Sequence, residues 1–297
     1  MWIVKYRVIF FILSLLLVIG AVTVIAKDQL NWGIDFTGGT ILEVEYPTER
    51  PAVELVRSGV DGLDLGPISV QLAGERGVIL RLRALSEEEH QKLVSALPQV
   101  SGQLPVEKRF SAIGPAMGRE LARKGVLAII VVVILIVLYL TMVFWGVSRP
   151  VASWKYGIVA VVKLVHDLVI TTGIFVAISA AFGGAEINAL FLAAFLTILG
   201  LSVNDVIAVF DRIRENLRRK VYPHFEDTVG HSLTETMGRS LNTSLTVIFV
   251  LLCIYFFGGS TTSEFALALV IGMIVATYSS IFIASPLLVV WEKWGRK

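Results

Sequence analysis

The stretch "LGLSVNDVIAVFDRIRENLRRK", residues 199–220, decides the reading of this chain. Joined to the uncharged run before it, it gives an apolar segment over 187–210. That is long enough to cross the hydrocarbon core of a bilayer, which takes about 20 residues of helix. Inside the segment stand Asn204 and Asp205; beyond it come Asp211 and a cluster of arginines. Asp205 lies five residues from the apolar end, roughly 8 Å inside the boundary at 1.5 Å of rise per residue. A carboxylate at depth costs roughly 3 kcal/mol on insertion scales, and aspartate is too short to reach water as lysine does. Asp205 therefore requires a partner, a proton or water.

The rest of the chain is built in the same style. Of its 297 residues 55% are hydrophobic and 17% charged, against about 25% charged in a soluble protein, and the mean hydropathy is +0.76. Five further apolar stretches, 8–26, 125–148, 154–182, 240–263 and 265–291, bring the expected transmembrane helices to six. The first has a longer apolar core than a secretory signal, and "TVIAKD" is a poor cleavage site, so it reads as an uncleaved anchor. The inner segments hold thirteen Lys and Arg, from Lys5 and Arg7 through Arg149, Lys155, the 212–220 cluster and Arg239 to Lys293, Arg296 and Lys297. The short outer loops 183–186 and 258–264 hold none. This asymmetry puts both termini in the cytoplasm and residues 27–124 outside. The expected domains are an anchor over 1–26, an outer domain over 27–124, and a five-helix membrane domain over 125–297 with a cytoplasmic loop at 211–239. Cys253, alone in an apolar run, allows no intrachain disulfide and reads as a small buried hydrophobe.

Within the outer domain "TILEVEY" (40–46) alternates in strand fashion, and 52–60 has a short apolar stripe that Pro51 can open as a helix. "ISVQLAGERGVILRLRA" reads as two strands around a Gly-Glu-Arg-Gly turn. Ser86 and Glu89 form a capping box for a helix with His90, Leu93, Val94 and Leu97 on one face, and "PVEKRF" (105–110) is a last strand. The order βαββαβ predicts a small ferredoxin-like α+β sandwich, a fold that identifies no activity by itself. His90 reads as packing. No Cys/His cluster has metal spacing and no phosphate-binding GxxxxGK[ST] occurs, so neither metal nor cofactor is expected, nor nucleic acid as a partner.

The polar residues within the apolar spans carry the functional signal. Lys163, His166 and Asp167 stand at i, i+3 and i+4, so they share a helix face, with Thr171 four further on. Lys163 is placed to pair with Asp167 or to reach inward. Asp167 falls in the same half of the bilayer as Asp205. Arg239 opens the fifth span, followed by Asn242, Thr243 and Thr246. Packed together, these helices would hold an Asp–Arg–His seam. Such a seam is either interhelical glue, at about 0.6 kcal/mol per polar pair, or the pathway of an ion or proton, the default reading for ionisable groups at depth. Asp211 and the arginines after it read more simply as an interfacial anchor.

"GIDFTGGT" (33–40), "SAIGPAMGREL" (111–121), "LVHDLVITTGIF" (164–175), "LGLSVNDVIAVFDRIRENL" (199–217), "RSLNTSLT" (239–246) and "ATYSSIFIASPLL" (276–288), in this order over nearly the whole chain, resemble the SecF side of the SecD/SecF family of Sec protein-export subunits. The resemblance implies a polytopic inner-membrane protein, half of an RND-type proton-driven transporter, with six helices and one periplasmic domain. It implies SecD as partner, beside the SecYEG channel and often YajC, assisting export of unfolded polypeptide after SecA-driven insertion, within membrane lipid. Protons are the implied coupling ion, with sodium the alternative. The coupling residues carried over are Asp205 and Arg239, then Asp167, His166, Asn204 and Asp211; Gly33, Asp35, Gly38 and Gly39 match the family's glycine motif. Leu201 and Val206 stand where the family commonly has a tyrosine and a threonine, so a relay here calls for water in place of a phenol and a hydroxyl.

Three rival readings are weighed against this one. A self-contained RND-type small-molecule exporter calls for twelve helices with two large outer domains, or a homo-oligomer doing the same. An intramembrane aspartyl protease built on Asp167 and Asp205 calls for a GxGD motif, which is absent. A passive scaffold that only stabilises a partner would be supported by an Asp205→Asn substitution without effect.

Overall fold

The computed structural model describes residues 2–28, 30–144, 151–182 and 186–294. Arg149, Arg296 and Lys297, counted above among the inner charges, lie outside the described residues, as do 183–185 of one outer loop. In chain order come α1 (Trp2–Lys5), α2 (Arg7–Asp28), the short α3 (Ile34–Thr37), β1 (Gly39–Glu45), α4 (Val53–Val60), β2 (Ser69–Ala73), β3 (Gly77–Leu82), α5 (Glu87–Ala96) and β4 (Val106–Ile113). There follow α6 (Pro115–Val143), α7 (Ser153–Phe182), α8 (Ala189–Arg218), α9 (Phe225–Phe257), α10 (Ser260–Ser279) and α11 (Ser285–Trp294). The chain divides into a helical unit, 1–30 with 127–185 and 190–297, and a mixed unit, 31–126 with 186–189.

Among the described residues six helical spans are long and apolar enough to cross a membrane: Arg7–Lys27, Pro115–Val143, Ser153–Ala181, Ala189–Arg218, Phe225–Phe257 and Thr262–Trp294. Close approach of helices is made by small residues, as expected where lipid supplies no hydrophobic drive. A side chain on Gly173 of α7 would collide with Ala21 of α2, and one on Gly272 of α10 with Ile198 of α8. The last span is the most enclosed, 78% of its apolar window being buried, against 6% for α6. It is interrupted by a π-helical turn, Ser280–Ala284, which ends directly before Ser285 and Pro286. Proline has no N–H to return to the preceding turn, which accounts for the wider winding there.

Two sequence expectations are corrected. The loop expected over 211–239 is mostly helix, because α8 runs on to Arg218 and α9 starts at Phe225. Polar pairs support the extensions: Arg212 meets Glu215 and Glu235 at 2.6 Å each, and Asn216 Nδ2 donates to Ser232 Oγ and Glu235 Oε2 at 2.9 Å. An apolar-run count ends a helix where hydrophobicity stops, whereas the hydrogen-bonded backbone continues. Cys253 is exposed on the helical unit rather than buried. An all-apolar helix gives no periodic signal to tell its packed face from its open one.

The mixed unit is the expected βαββαβ sandwich. Its antiparallel sheet has the order β2-β3-β1-β4, and one face carries Leu42, Val44, Val78, Leu80 and Leu82 into a core shared with Val56, Val60 and Leu93 of α4 and α5. The capping box is formed, Glu89 N–H donating to Ser86 Oγ and Ser86 N–H to Glu89 Oε2. β4 extends past the expected Phe110 to Ile113, which pairs with Gly39. His90 packs as expected, its ring stacked 3.7 Å from Phe110, and its Nε2 also meets Glu107 at 2.9 Å.

Candidate functional site

α7 and α8 build the polar centre of the helical unit. Lys163 and Asp167, one turn apart on α7, are 0% and 1% exposed, and their Nζ and Oδ2 are 2.9 Å apart. Lys163 also donates to the Ser202 carbonyl at 3.1 Å and to Ser202 Oγ, so its three N–H groups are occupied. Ser202 Oγ donates in turn to Asp167 Oδ2 at 2.7 Å. The other Asp167 oxygen is 3.1 Å from His166 Nδ1. Asp167 is thus met at both oxygens, inside a closed network, which is the condition under which a buried ion pair is tolerated.

Asp205, one turn below Ser202 on the same face of α8, is treated differently. It is 5% exposed, yet its Oδ2 makes no hydrogen bond of normal geometry; the buried Ser240 Oγ of α9 bears on it without reaching that geometry. Its charged neighbours are Lys163 and Arg239, with Asp167 as a like charge. Lys163 therefore faces two carboxylates and is bonded to one of them. His166 Nε2 and Thr171 Oγ1 are likewise buried without partners, so the seam has unused polar capacity on both sides of the network. Such groups ordinarily take water or a proton.

The expected residues divide into two sets. Asp205, Asp167 and His166 lie in the buried seam, and Arg239, exposed on α9, bears on Asp205 through its charge alone. Asn204 points outward on α8, and Asp211 is exposed and pairs with Arg214 at 2.9 Å. Thr243 and Thr246 turn their hydroxyls back onto Arg239 O and Asn242 O of their own helix. Lys163, which the spacing paired with Asp167 but did not count among the coupling residues, is the centre of the site. Ser202 was missed; its position three before Asp205, on the same helix face, was the available signal. Among the described residues no group of three or more His, Cys, Asp or Glu is placed to hold a metal.

The glycine motif belongs to the mixed unit. Gly38 (φ 76°) and Gly39 (φ 142°) adopt backbone that favours glycine. A Cβ on Gly38 would stand 2.7 Å from Pro115 Cα, and one on Gly39 2.9 Å from the Leu82 carbonyl. Gly33 N–H donates to Ile187 O at 2.9 Å, and Ile187 N–H to Asn31 O at 2.9 Å. Asp35 Oδ2 accepts from the backbone N–H of Ala189 at 2.8 Å. Beside it Arg81 pairs with Glu186 at 2.9 Å. Burial pushes the Glu186 carboxyl above its ordinary value, with Arg81 pulling the other way.

Comparisons with known proteins identify the family and the fold. Residues 95–294 match the family described as "Protein export membrane protein SecD/SecF, C-terminal", and residues 23–46 match the SecD/SecF GG motif. The protein translocase subunit SecF of Thermobaculum terrenum is 42% identical, over 98% of this chain and 93% of that protein. SecF of Vibrio alginolyticus is 37% identical, over 95% and 87%. The crystal structure of SecDF, a translocon-associated membrane protein from Thermus thermophilus, superposes with a TM-score of 0.82 at 31% identity. That match covers 98% of this chain, which spans 38% of the solved SecDF chain.

Proposed function

This chain belongs to the SecD/SecF family of protein export membrane proteins, and from that premise we propose that Asp205 is the carboxylate through which it uses the proton gradient. It is a multi-pass membrane protein with a SecF-like role in protein export. The observation that carries the proposal is the unpartnered Asp205 oxygen beside a lysine already bonded to a second carboxylate. An ionised carboxylate in that position draws Lys163 and Arg239 toward it; a proton removes the charge and leaves Lys163 with Asp167. Each state favours a different arrangement of α7, α8 and α9. A proton crossing the membrane releases about 2.3 kcal/mol per 100 mV, enough to bias a two-state helix packing.

The likeness to SecDF supports a SecD-type partner, whose half would complete a full RND-type transporter. The outward set on this chain, Asn204, Arg239 and Asn242, offers polar groups to such a half. An inner-membrane location with both termini in the cytoplasm, a place beside SecYEG with YajC, action after SecA, and a non-catalytic role complete the reading, with unfolded polypeptide handled on the outer side.

Export in vesicles holding this chain, its SecD-type partner and the channel tests the proposal. Asp205→Asn is expected to abolish the uncoupler-sensitive part of export while the complex still assembles, and exchanging sodium for potassium is expected to leave native export unchanged. Equal export by the Asn variant and the native protein would contradict it.

A further inference from the structure

The glycine motif sits where three segments meet inside the mixed unit. Its Gly39 opens β1. Its backbone at Phe36 and Gly38 lies so close to the first turn of α6 that a Cβ on Gly118 would stand 2.8 Å from Gly38 N and 3.0 Å from Phe36 O. The connection leading into α8 is held from three sides. A Cβ on Gly33 would touch Asn188 at 3.0 Å, Trp32 and Ile187 form a parallel bridge, and the Arg81–Glu186 ion pair, largely buried, closes it. Asp35 completes the arrangement by accepting from Ala189 N–H, the first residue of α8. A carboxylate at a helix N-terminus satisfies an otherwise orphaned donor and complements the helix dipole. Here that carboxylate comes from 154 residues away in sequence, so the cap is also a tie.

We infer that Asp35 is a positioning residue: it fastens the start of α8, the helix that carries Asp205, to the sheet domain, so that a displacement of α8 is delivered to that domain through 186–189. The inference rests on the reading of Asp205 as the coupling carboxylate. The link is short, being one backbone bridge at Trp32, one ion pair to Arg81 of β3 and one cap from Asp35 of α3, all meeting residues 186–189.

The test uses the complete chain with its SecD-type partner in vesicles under an imposed proton gradient, with two readouts. One is the infrared carboxyl band of Asp205. The other is a fluorophore on Ser95→Cys, an exposed α5 position, in a Cys253→Ser background. Asp35→Ala is expected to leave the carboxyl band responding and to cut the fluorophore response by roughly fivefold, the equilibrium equivalent of one lost helix cap. Asp35→Asn, whose amide oxygen can still accept from Ala189, is expected to keep most of that response. A native-sized fluorophore response in Asp35→Ala overturns the link. So does a carboxyl response that falls in step with it, since Asp35 would then serve the proton site or the fold. A native protein whose carboxyl band ignores the gradient overturns the proton reading, and this inference with it.

Discussion

Asp167 and Asp205 stand on facing helices, both more than nine-tenths buried, and their surroundings are opposite. Asp167 is met by Lys163, Ser202 and His166 and keeps no oxygen free. Asp205 keeps Oδ2 without a partner and has its cations at a distance. The two share Lys163, and Lys163 is committed to one. Burial alone therefore does not mark a coupling group; what distinguishes the two carboxylates is how completely each is satisfied. The saturated one holds α7 to α8, and the unsaturated one is the carboxylate proposed above to exchange a proton.

The strongest way to break the comparison is to remove the shared cation. Lys163→Met leaves Asp167 as a buried unpaired charge and is expected to cost about 3–5 kcal/mol, read as a large drop in the melting temperature of the purified protein. Adding Asp167→Asn should return most of that loss. Ser202→Ala removes one donor to Asp167 and one acceptor for Lys163, with an expected cost of about 1–3 kcal/mol in the same measurement. On the other side of the comparison, Ser240→Ala deletes a buried hydroxyl that bears on Asp205 without a hydrogen bond of normal geometry. Its effect on melting should stay at or below about 1 kcal/mol, since no well-formed hydrogen bond is lost.

The smallest effect belongs to a carboxylate outside the membrane that is as well supplied with donors as Asp167. Glu89 takes two bonds from Arg83 and one from Ser86 N–H, and these hold its carboxyl down to about 2. A depressed carboxylate stabilises the fold fully above its unfolded value of about 4.5 and loses that contribution as pH falls toward about 2. Amide exchange in α5 should therefore quicken across that window and be flat above it. In water the same donors give a modest effect; in a closed interior they are a condition of folding.

Much of this was legible in the residues. Six apolar runs gave six helices, and alternation with a capping box gave the sheet domain, because both rest on local periodicity. The i, i+3, i+4 spacing put Lys163, His166 and Asp167 on one face correctly. That spacing also offered the Lys163–Asp167 pair; that Ser202 of α8 closes the network around it was not legible, since that depends on the depth at which α7 and α8 meet. Asn204 is adjacent to Asp205 in sequence yet turned outward, as a helix requires of neighbours. The tie between Asp35 and Ala189 left no local trace, being a contact between segments 154 residues apart.

The most direct measurement is an infrared titration of the purified complex, comparing native protein, Asp205→Asn, and the Lys163→Met/Asp167→Asn double variant. The protonated-carboxyl band that follows pH is expected to vanish in Asp205→Asn and to persist in the double variant. A band that survives Asp205→Asn and is lost from the double variant would make Asp167 the exchanging group and reverse the assignment.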